Sequence, residues 1–425
     1  MPARRTTYTR RQVLKSVSGT CAALAVPWAI PAELLGKNGA VAPSERIVLG
    51  AIGIGPRGQH VLGDMLANDD VQFVAICDIR KERREFVKGM ADSKYGNKDC
   101  AMYSDLHELL ARKDIDAVLI ATGDRWHTTA STIAAKAGKD IYCEKPCSMT
   151  IAESRALADA IRREGRVYQA GTQRRNVANF VYAIELATSG KLGRLHTVHA
   201  NTLAPATTHD WLPGEPEPPK DVCDWDRWLG PCPWRPYNSS YVRGGWRGFF
   251  DFHGGGILEW GSHTVDLCQA ANQADSTTPI EFDPQGQDVI ARYANGVKLV
   301  MREQGWMGLG TCSVRFEGDQ GWVEAGDTGR YEVSSENLLP RDPIVAGEGT
   351  SPKTHVRDFL NCVKSRSQPR ANANNACQTH ITCHAAYIAW QLGRKLEFDP
   401  VREAFVKDEA ANRMRSRAHR EPWCV

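Results

Sequence analysis

The chain has no CxxC pair among its 13 cysteines, no unbroken apolar window of roughly 20 residues, and no long basic run. The first absence, with an odd count, removes both a zinc ribbon and a fully paired disulfide framework. The second removes a membrane-spanning helix. The third, with a formal net charge of +3, removes a nucleic-acid-binding surface as the default. What is present, 42% hydrophobic and 24% charged residues, is too apolar for disorder. A length of 425 residues exceeds the roughly 250–300 at which single cores stop growing, so more than one domain is expected.

The opening residues are basic: Arg4-Arg5, then Thr9-Arg10-Arg11-Gln12-Val13-Leu14-Lys15, followed by a mild apolar stretch over 21–30. A basic segment before a short apolar one is a secretory signal. The T-R-R-x-V-L-K string resembles the twin-arginine signal of bacterial export, which implies a periplasmic or otherwise exported protein. Ala40-Val41-Ala42 fits an A-x-A cleavage site, although Pro43 would hinder a peptidase. The plainer alternative is a basic tail on a cytosolic protein. Removal of a leader at 1–42 takes away six Lys/Arg and one Glu, turning +3 into −2.

Residues 46–52 form a buried-strand pattern that runs into Gly53-Ile-Gly55-Pro-Arg57-Gly58, and helical spacing continues over 59–66. In this G-x-G-x-x-G pattern the first glycine makes a tight turn and the second lets backbone approach a pyrophosphate. The third allows close helix–strand packing. A second strand over 71–78 ends on Asp78, about 20 residues beyond Gly58, the spacing for a carboxylate on the adenosine ribose hydroxyls. That favours NAD; Arg80, which could pair with a 2′-phosphate, keeps NADP open. A glycine turn without a cofactor is the bland reading. Strands over 116–121, 140–143 and 167–171 alternate with helices over 128–137 and 151–164, predicting a doubly wound parallel sheet in a Rossmann domain at 45–175. Ligands bind beyond the carboxyl ends of such strands. There the chain carries two polar loops, Thr122-Gly-Asp-Arg-Trp126-His127 and Glu144-Lys145-Pro146.

The pattern then changes. After a helix over 177–188 and a strand over 195–201, eight of the 22 prolines fall between Pro205 and Pro236. Trp211, Trp225, Trp228, Trp234, Trp246 and Trp260 crowd the same region. A loop this long is usually functional. Its indoles suit stacking on a sugar, or else simply pack the loop down. A helix entered through Gly254-Gly255-Gly256 carries Glu259 and His263 at i and i+4, on one face. Strands over 289–293, 297–304, 312–317 and 321–324, joined by turn residues, predict an α+β domain at 176–354 with a mainly antiparallel sheet. Helices over 355–364 and 375–394 belong to a C-terminal segment, 355–425, expected to return to the core. Cys377, His380, Cys383 and His384 have helical spacing and lie within an amphipathic helix, so no metal site is read there. Cys223 and Cys232 could close a disulfide after export.

Glu144-Lys145-Pro146 ending a strand some way after the glycine loop resembles the signature of the Gfo/Idh/MocA oxidoreductases. The Thr122 to His127 loop, Gly171-Thr-Gln173-Arg174, the three glycines with His263 and Asp266, and the stretch from Leu392 to Pro400 also match, so the resemblance covers 45–425. It implies hydride transfer between a hydroxyl of a sugar, polyol or glycoside and a tightly bound nicotinamide. Lys145 would hold the substrate oxygen and stabilise alkoxide charge, His263 would take the hydroxyl proton, and Glu259 would orient it. Glu259 departs from the Asp usual in the family. Carried over residue by residue, Gly53, Gly55, Arg57, Gly58, Asp78, Arg80, Thr122, Trp126, His127, Glu144, Lys145 and Gln173 would hold the cofactor. Arg174, Trp260 and His263 would meet the substrate. The family's large open sheet serves as substrate platform and often as a homo-oligomer interface. Two other functions compete: a redox-neutral NAD-dependent glycosidase or epimerase working through a keto-sugar, and a non-catalytic, dinucleotide-bound sugar-binding protein.

Overall fold

The computed structural model describes residues 41–205, 207–303, 305–342, 344 and 351–423. The twin-arginine string, the apolar stretch after it and Cys21 lie outside the described residues. Spatially the chain divides into Met1–Arg46 and Ile47–Val425. The described part of the first unit is a short 3-10 turn, Pro43–Glu45. All other elements belong to the second.

Six parallel strands form one sheet: β1 (Ile47–Ile52), β2 (Val71–Cys77), β3 (Ala101–Tyr103), β4 (Ala117–Ile120), β5 (Asp140–Cys143) and β6 (Tyr168–Ala170), in the order β3-β2-β1-β4-β5-β6. Every residue of β4 and β5 is buried, which requires helices on both faces. Val61, Leu62 and Met65 of helix Pro56–Leu66 pack in the core of one face. Ala130 and Ala134 of helix Asp124–Lys136, with Leu157 and Ile161 of helix Ile151–Glu164, fill the other. Val356, Phe359 and Leu360 of helix Lys353–Ser365 join the first of these cores, so a segment from far along the chain completes this layer. The strand order reverses between β1 and β4, where the crevice of a doubly wound sheet lies.

The second sheet has nine strands: β7 (Leu195–Thr202), β8 (Glu281–Gln285), β9 (Asp288–Arg292), β10 (Lys298–Glu303), β11 (Val314–Gly318), β12 (Gly321–Ala325), β13 (Tyr331–Val333), β14 (Leu396–Asp399) and β15 (Ala404–Phe405). Their order is β13-β12-β11-β7-β10-β9-β8-β14-β15. All neighbours are antiparallel except β7 and β10. In β9 buried and part-exposed residues alternate, because one face is covered and the other is not. Helix Gly256–Ala271 lies against β7 on the covered face.

Helix Ala373–Leu392, read from the sequence as amphipathic, is buried nearly all round between helices Ile151–Glu164 and Gly256–Ala271, its polar Gln378, Thr379, His380, Thr382 and His384 included. Its Cys377, His380, Cys383 and His384 are all buried. His380 Nδ1 donates to the Ala376 carbonyl (2.5 Å), which leaves Nε2 to accept the Cys147 N–H at 2.9 Å. This histidine therefore fastens the loop that carries Lys145.

Two expectations are corrected. The segment from Thr122 to His127 is a loop only as far as Gly123; the helix starts at Asp124, so Trp126 and His127 sit on its first turn. Cys223 and Cys232 are free, buried thiols. Cys232 Sγ is held by the Asp251 carbonyl at 2.8 Å, while the backbone at Cys223 bridges Arg80, and these partners keep the two thiols in separate roles.

Candidate active site

Two adjoining spaces open at the carboxyl ends of the parallel strands. The first is walled by Gly53, Asp78, Arg80, Asp105, Trp126 and Trp228, among others. The second is an open cleft reached by Arg57, Glu144, Lys145, Glu259, Trp260 and His263. Thr122, Gly123, Arg83 and Trp246 line both.

The glycine loop fits a dinucleotide on its own geometry. Gly53 has φ +69°, and a Cβ there would lie 2.2 Å from Thr122 Cγ2, so no other residue fits. Gly55 caps helix Pro56–Leu66 without any side-chain bond, leaving its first N–H groups open to an anion. Asp78, at the end of β2, is buried. Its carboxylate accepts from the Ile54 N–H (3.0 Å) and the Arg80 N–H (2.9 Å), which sets it beside the glycine loop. Burial pushes its pKa up against the pull of Arg83 and Arg80. The Arg80 guanidinium turns away, to the Val242 carbonyl (3.0 Å) and to Glu82. Arg83, not singled out by spacing, stands nearer the phosphate path: its Nη1 would lie 3.3 Å from a Cβ on Gly55. It follows Arg80 by one helical turn, and that is the signal that could have found it.

Other residues expected to touch the cofactor brace the site as well. Arg57 Nε pairs with Glu144 at 3.1 Å. The Gln173 amide sits between the Gly171 carbonyl and Arg57. His127 Nδ1 lies 2.6 Å from the Pro146 carbonyl, and burial lowers its pKa to about 4, so it is a neutral tether for the Lys145 loop. Trp126 Nε1 donates to the Arg227 carbonyl at 2.8 Å. Arg174, expected to meet substrate, makes a two-pronged pair with Asp327 at 2.7 and 2.6 Å on the wall of the cleft. Trp260 lines the same cleft.

The reactive groups converge where helix Gly256–Ala271 faces the β5 loop. A Cβ on Gly256 would fall 1.8 Å from the Ala204 carbonyl, so glycine lets the helix start hard against that backbone. Lys145 Nζ then donates to Glu259 Oε1 (2.8 Å) and to the Glu259 carbonyl (2.9 Å). Burial pushes the Glu259 carboxyl up, but Lys145 and His253 outweigh it and hold the group well below the ordinary carboxylate range. His263, one turn on, is buried with Nδ1 unpartnered; burial, then Arg174, Lys145 and Arg57, push its pKa well down. It is a neutral imidazole on the cleft wall.

Sequence reasoning missed His253 and Asp124. His253 Nε2 lies 3.1 Å from Glu259 Oε2 and 3.9 Å from Asp124 Oδ2. The extra methylene of Glu259 is thus used, with one oxygen on Lys145 and the other on His253. Asp124, His253 and Glu259 each bring one potential ligand atom within 4.8 Å of the others. The Gly255 N–H donates to His253 Nδ1 at 3.2 Å, so the ring proton sits on Nε2, which is a donor here and not a lone pair for a cation. The donor set is that of a hydrogen-bond chain.

The tryptophan-rich stretch lies over the first space. Trp225, Trp228, Leu229, Tyr241 and Phe252 form a small core of their own, with Trp225 and Trp228 stacked at 4.7 Å. That core is pinned to the parallel-sheet layer. Arg227 pairs with Asp105 (2.7 Å) and Arg84 Nη2 donates to the Asp221 carbonyl (3.1 Å). Arg125 Nε donates to the Trp228 carbonyl (2.6 Å), its guanidinium 3.5 Å above that indole. Trp423, near the C-terminus, meets Trp126 edge-on. Trp228 and Trp246 line the nucleotide space, whereas Trp211 and Trp234 are exposed.

Residues 47–172 match the family model described as an oxidoreductase family, NAD-binding Rossmann fold. Residues 208–425 match its companion, an oxidoreductase family C-terminal alpha/beta domain. A myo-inositol 2-dehydrogenase of Thermotoga maritima is 29% identical over 37% of this chain and 46% of its own length. A D-glucoside 3-dehydrogenase of Escherichia coli is 27% identical over 34% of this chain and 39% of its own. The chain thus spans about half or less of the length of these relatives. The crystal structure of an aldose-aldose oxidoreductase from Caulobacter crescentus superposes with a TM-score of 0.61 at 17% identity, covering 83% of this chain and 100% of that one. With both models matched in order across two glycine-entered helices and the Lys145 loop, the chain belongs to the Gfo/Idh/MocA oxidoreductase family.

Proposed function

We propose that this chain oxidises a hydroxyl of a sugar, polyol or glycoside, with NAD as a resident hydride carrier. The observation that carries the reading is the convergence of Lys145, Glu259 and His263 in a cleft that shares Thr122 and Gly123 with the nucleotide space. A bound nicotinamide ring would supply the hydride acceptor. Lys145 places N–H donors where a substrate oxygen gains negative charge. His263, held neutral, is free to accept a proton. Trp260 offers a flat apolar face and Arg174 a fixed cation on the cleft wall. Asp78 favours NAD over NADP. The names of the two relatives, which act on inositol and on a glucoside, support a ring hydroxyl as the target.

Trp228, Val242, Trp246 and Trp423 wall the nucleotide space, which supports a second reading: a redox-neutral glycosidase or epimerase would return its hydride within one cycle, so that a dinucleotide held there need not leave. A retained dinucleotide also suits export by the twin-arginine route to a periplasm without a nicotinamide pool, since that route carries folded protein. Assembly of copies through the nine-stranded sheet belongs to the same proposal.

Purified protein should be denatured and any released nucleotide identified by mass. Native protein should then be offered cyclic polyols and aryl glycosides, reading reduced nicotinamide and freed aglycone separately. NAD in the extract and reduction by a polyol or glycoside are expected. Aglycone release without added NAD selects the redox-neutral cycle. A chain that neither contains nor binds NAD or NADP would overturn both; bound NAD with no turnover would leave a sugar-binding protein.

A further inference from the structure

His253 carries a single N–H between two carboxylates. Its Nδ1 accepts the Gly255 N–H, which leaves Nε2–H as the donor that faces the two carboxylates. In the structure the donor goes to Glu259 Oε2, at 3.1 Å; Asp124 Oδ2, at 3.9 Å, is buried with no hydrogen-bond partner among the described residues. Asp124 is 4% exposed, and an ionised carboxylate left unpartnered at such depth is expensive.

We infer that Asp124 and His253 are positioning residues for the Lys145–Glu259 pair: ionisation of Asp124 draws the His253 Nε2–H off Glu259, leaving Glu259 a stronger hydrogen-bond acceptor for Lys145 Nζ. This inference rests on the oxidoreductase reading of the site. Asp124 loses its proton to solvent and no other covalent bond among these side chains changes: the His253 Nε2–H moves its hydrogen bond from Glu259 to Asp124, and Lys145 stays hydrogen-bonded to Glu259. His263 remains the group that would take the hydroxyl proton, and a bound nicotinamide would supply the hydride acceptor. The groups facing Asp124 agree with this role. Burial and Glu259 raise its pKa while His253, Lys145 and Arg247 lower it, the net being about 6, so it changes charge in the range where such an enzyme works.

The test reads Lys145 directly and needs no substrate. Purified protein, with whatever nucleotide it retains, is labelled with acetic anhydride across a pH series. Acetylation of the peptide bearing Lys145 is then measured by mass against exposed Lys113. In the wild type, Lys145 labelling should show an inflection near pH 6 that Lys113 lacks. Asp124→Asn and His253→Gln should each abolish the inflection, and Asp124→Glu should restore it. Histidine ¹⁵N shifts should show His253 carrying a proton on Nε2. If Asp124→Asn keeps the wild-type curve, or if His253 proves to be the Nδ1–H tautomer, the switch is wrong even where turnover is found. On any polyol that reduces the bound NAD, Asp124→Asn should lower kcat about tenfold and flatten the acid limb of its pH profile, with KM little changed. Absence of turnover with the labelling inflection intact would instead count against the oxidoreductase reading.

Discussion

Lys145 shows how much one side chain depends on what holds it. Its ammonium reaches Glu259 only because two histidines remote in sequence fix its loop, His127 through the Pro146 carbonyl and His380 through the Cys147 N–H. Both are buried and both have a pKa lowered to about 4, so at neutral pH neither adds positive charge to a crowded site. Lys145→Met keeps the length of the side chain and removes its donors. The expected result is a fall in turnover of about 10²–10³-fold with nucleotide content unchanged, checked by kinetics and by mass of the extracted nucleotide. Loss of nucleotide as well would place Lys145 in cofactor retention more than in chemistry.

Among the elements, helix Lys353–Ser365 is held to its layer by charge as well as by apolar contact. It lies on the parallel-sheet layer through Val356, Phe359 and Leu360, and its Arg357 (2.9 Å) and Lys364 (2.6 Å) both reach Asp70, just before β2. Burial pushes Asp70 up, but the two cations outweigh it and leave it at about 2. The folded value lies below the unfolded one near 3.8, so the stabilisation is complete above about pH 4 and is lost as pH falls toward 2. Asp70→Asn should cost about 1 kcal/mol at pH 7 once solvent screening is allowed for, measured by urea unfolding. The difference from wild type should shrink as the pH is taken below 4. A deficit of equal size at every pH would mean that packing, not charge, is what Asp70 supplies. Helix Asp124–Lys136 illustrates a different dependence: its first turn was expected to be loop, yet Gly123 caps it and brings Asp124 into the cleft.

Across the fold as a unit, the arrangement of loop on nucleotide space is the feature with most consequence. The stretch over 207–252 has its own indole core and grips the parallel-sheet layer through Arg227 and Asp105 and through Arg80 and the Val242 carbonyl. Arg227→Ala would remove the Asp105 pair and a donor to the Ser104 carbonyl while leaving the buried indoles in place. Loss of retained NAD on dialysis should quicken by roughly tenfold, a change of about 1.4 kcal/mol in holding the cover closed. The unfolding midpoint should hardly move, since a part-exposed pair contributes little to overall stability. Unchanged release would mean that the cover does not govern exchange.

Periodicity and glycine spacing alone establish the parallel sheet, the G-x-G-x-x-G turn and Asp78 at its strand end, because each is a local rule about backbone that neighbouring residues enforce. The Glu144-Lys145-Pro146 loop and the Glu259/His263 face were legible for the same reason. Strands β8, β13, β14 and β15, toward the two ends of the nine-stranded sheet, were not: at two to five residues each they are too short for alternation to stand out. The Asp124–His253–Glu259 triangle was equally hidden. Its members come from the first turn of helix Asp124–Lys136, from the end of the tryptophan-rich stretch and from helix Gly256–Ala271, and no spacing joins them. Proton positions, the choice between two carboxylates and the covering of the nucleotide are set by distances across the fold, and only folding creates those distances.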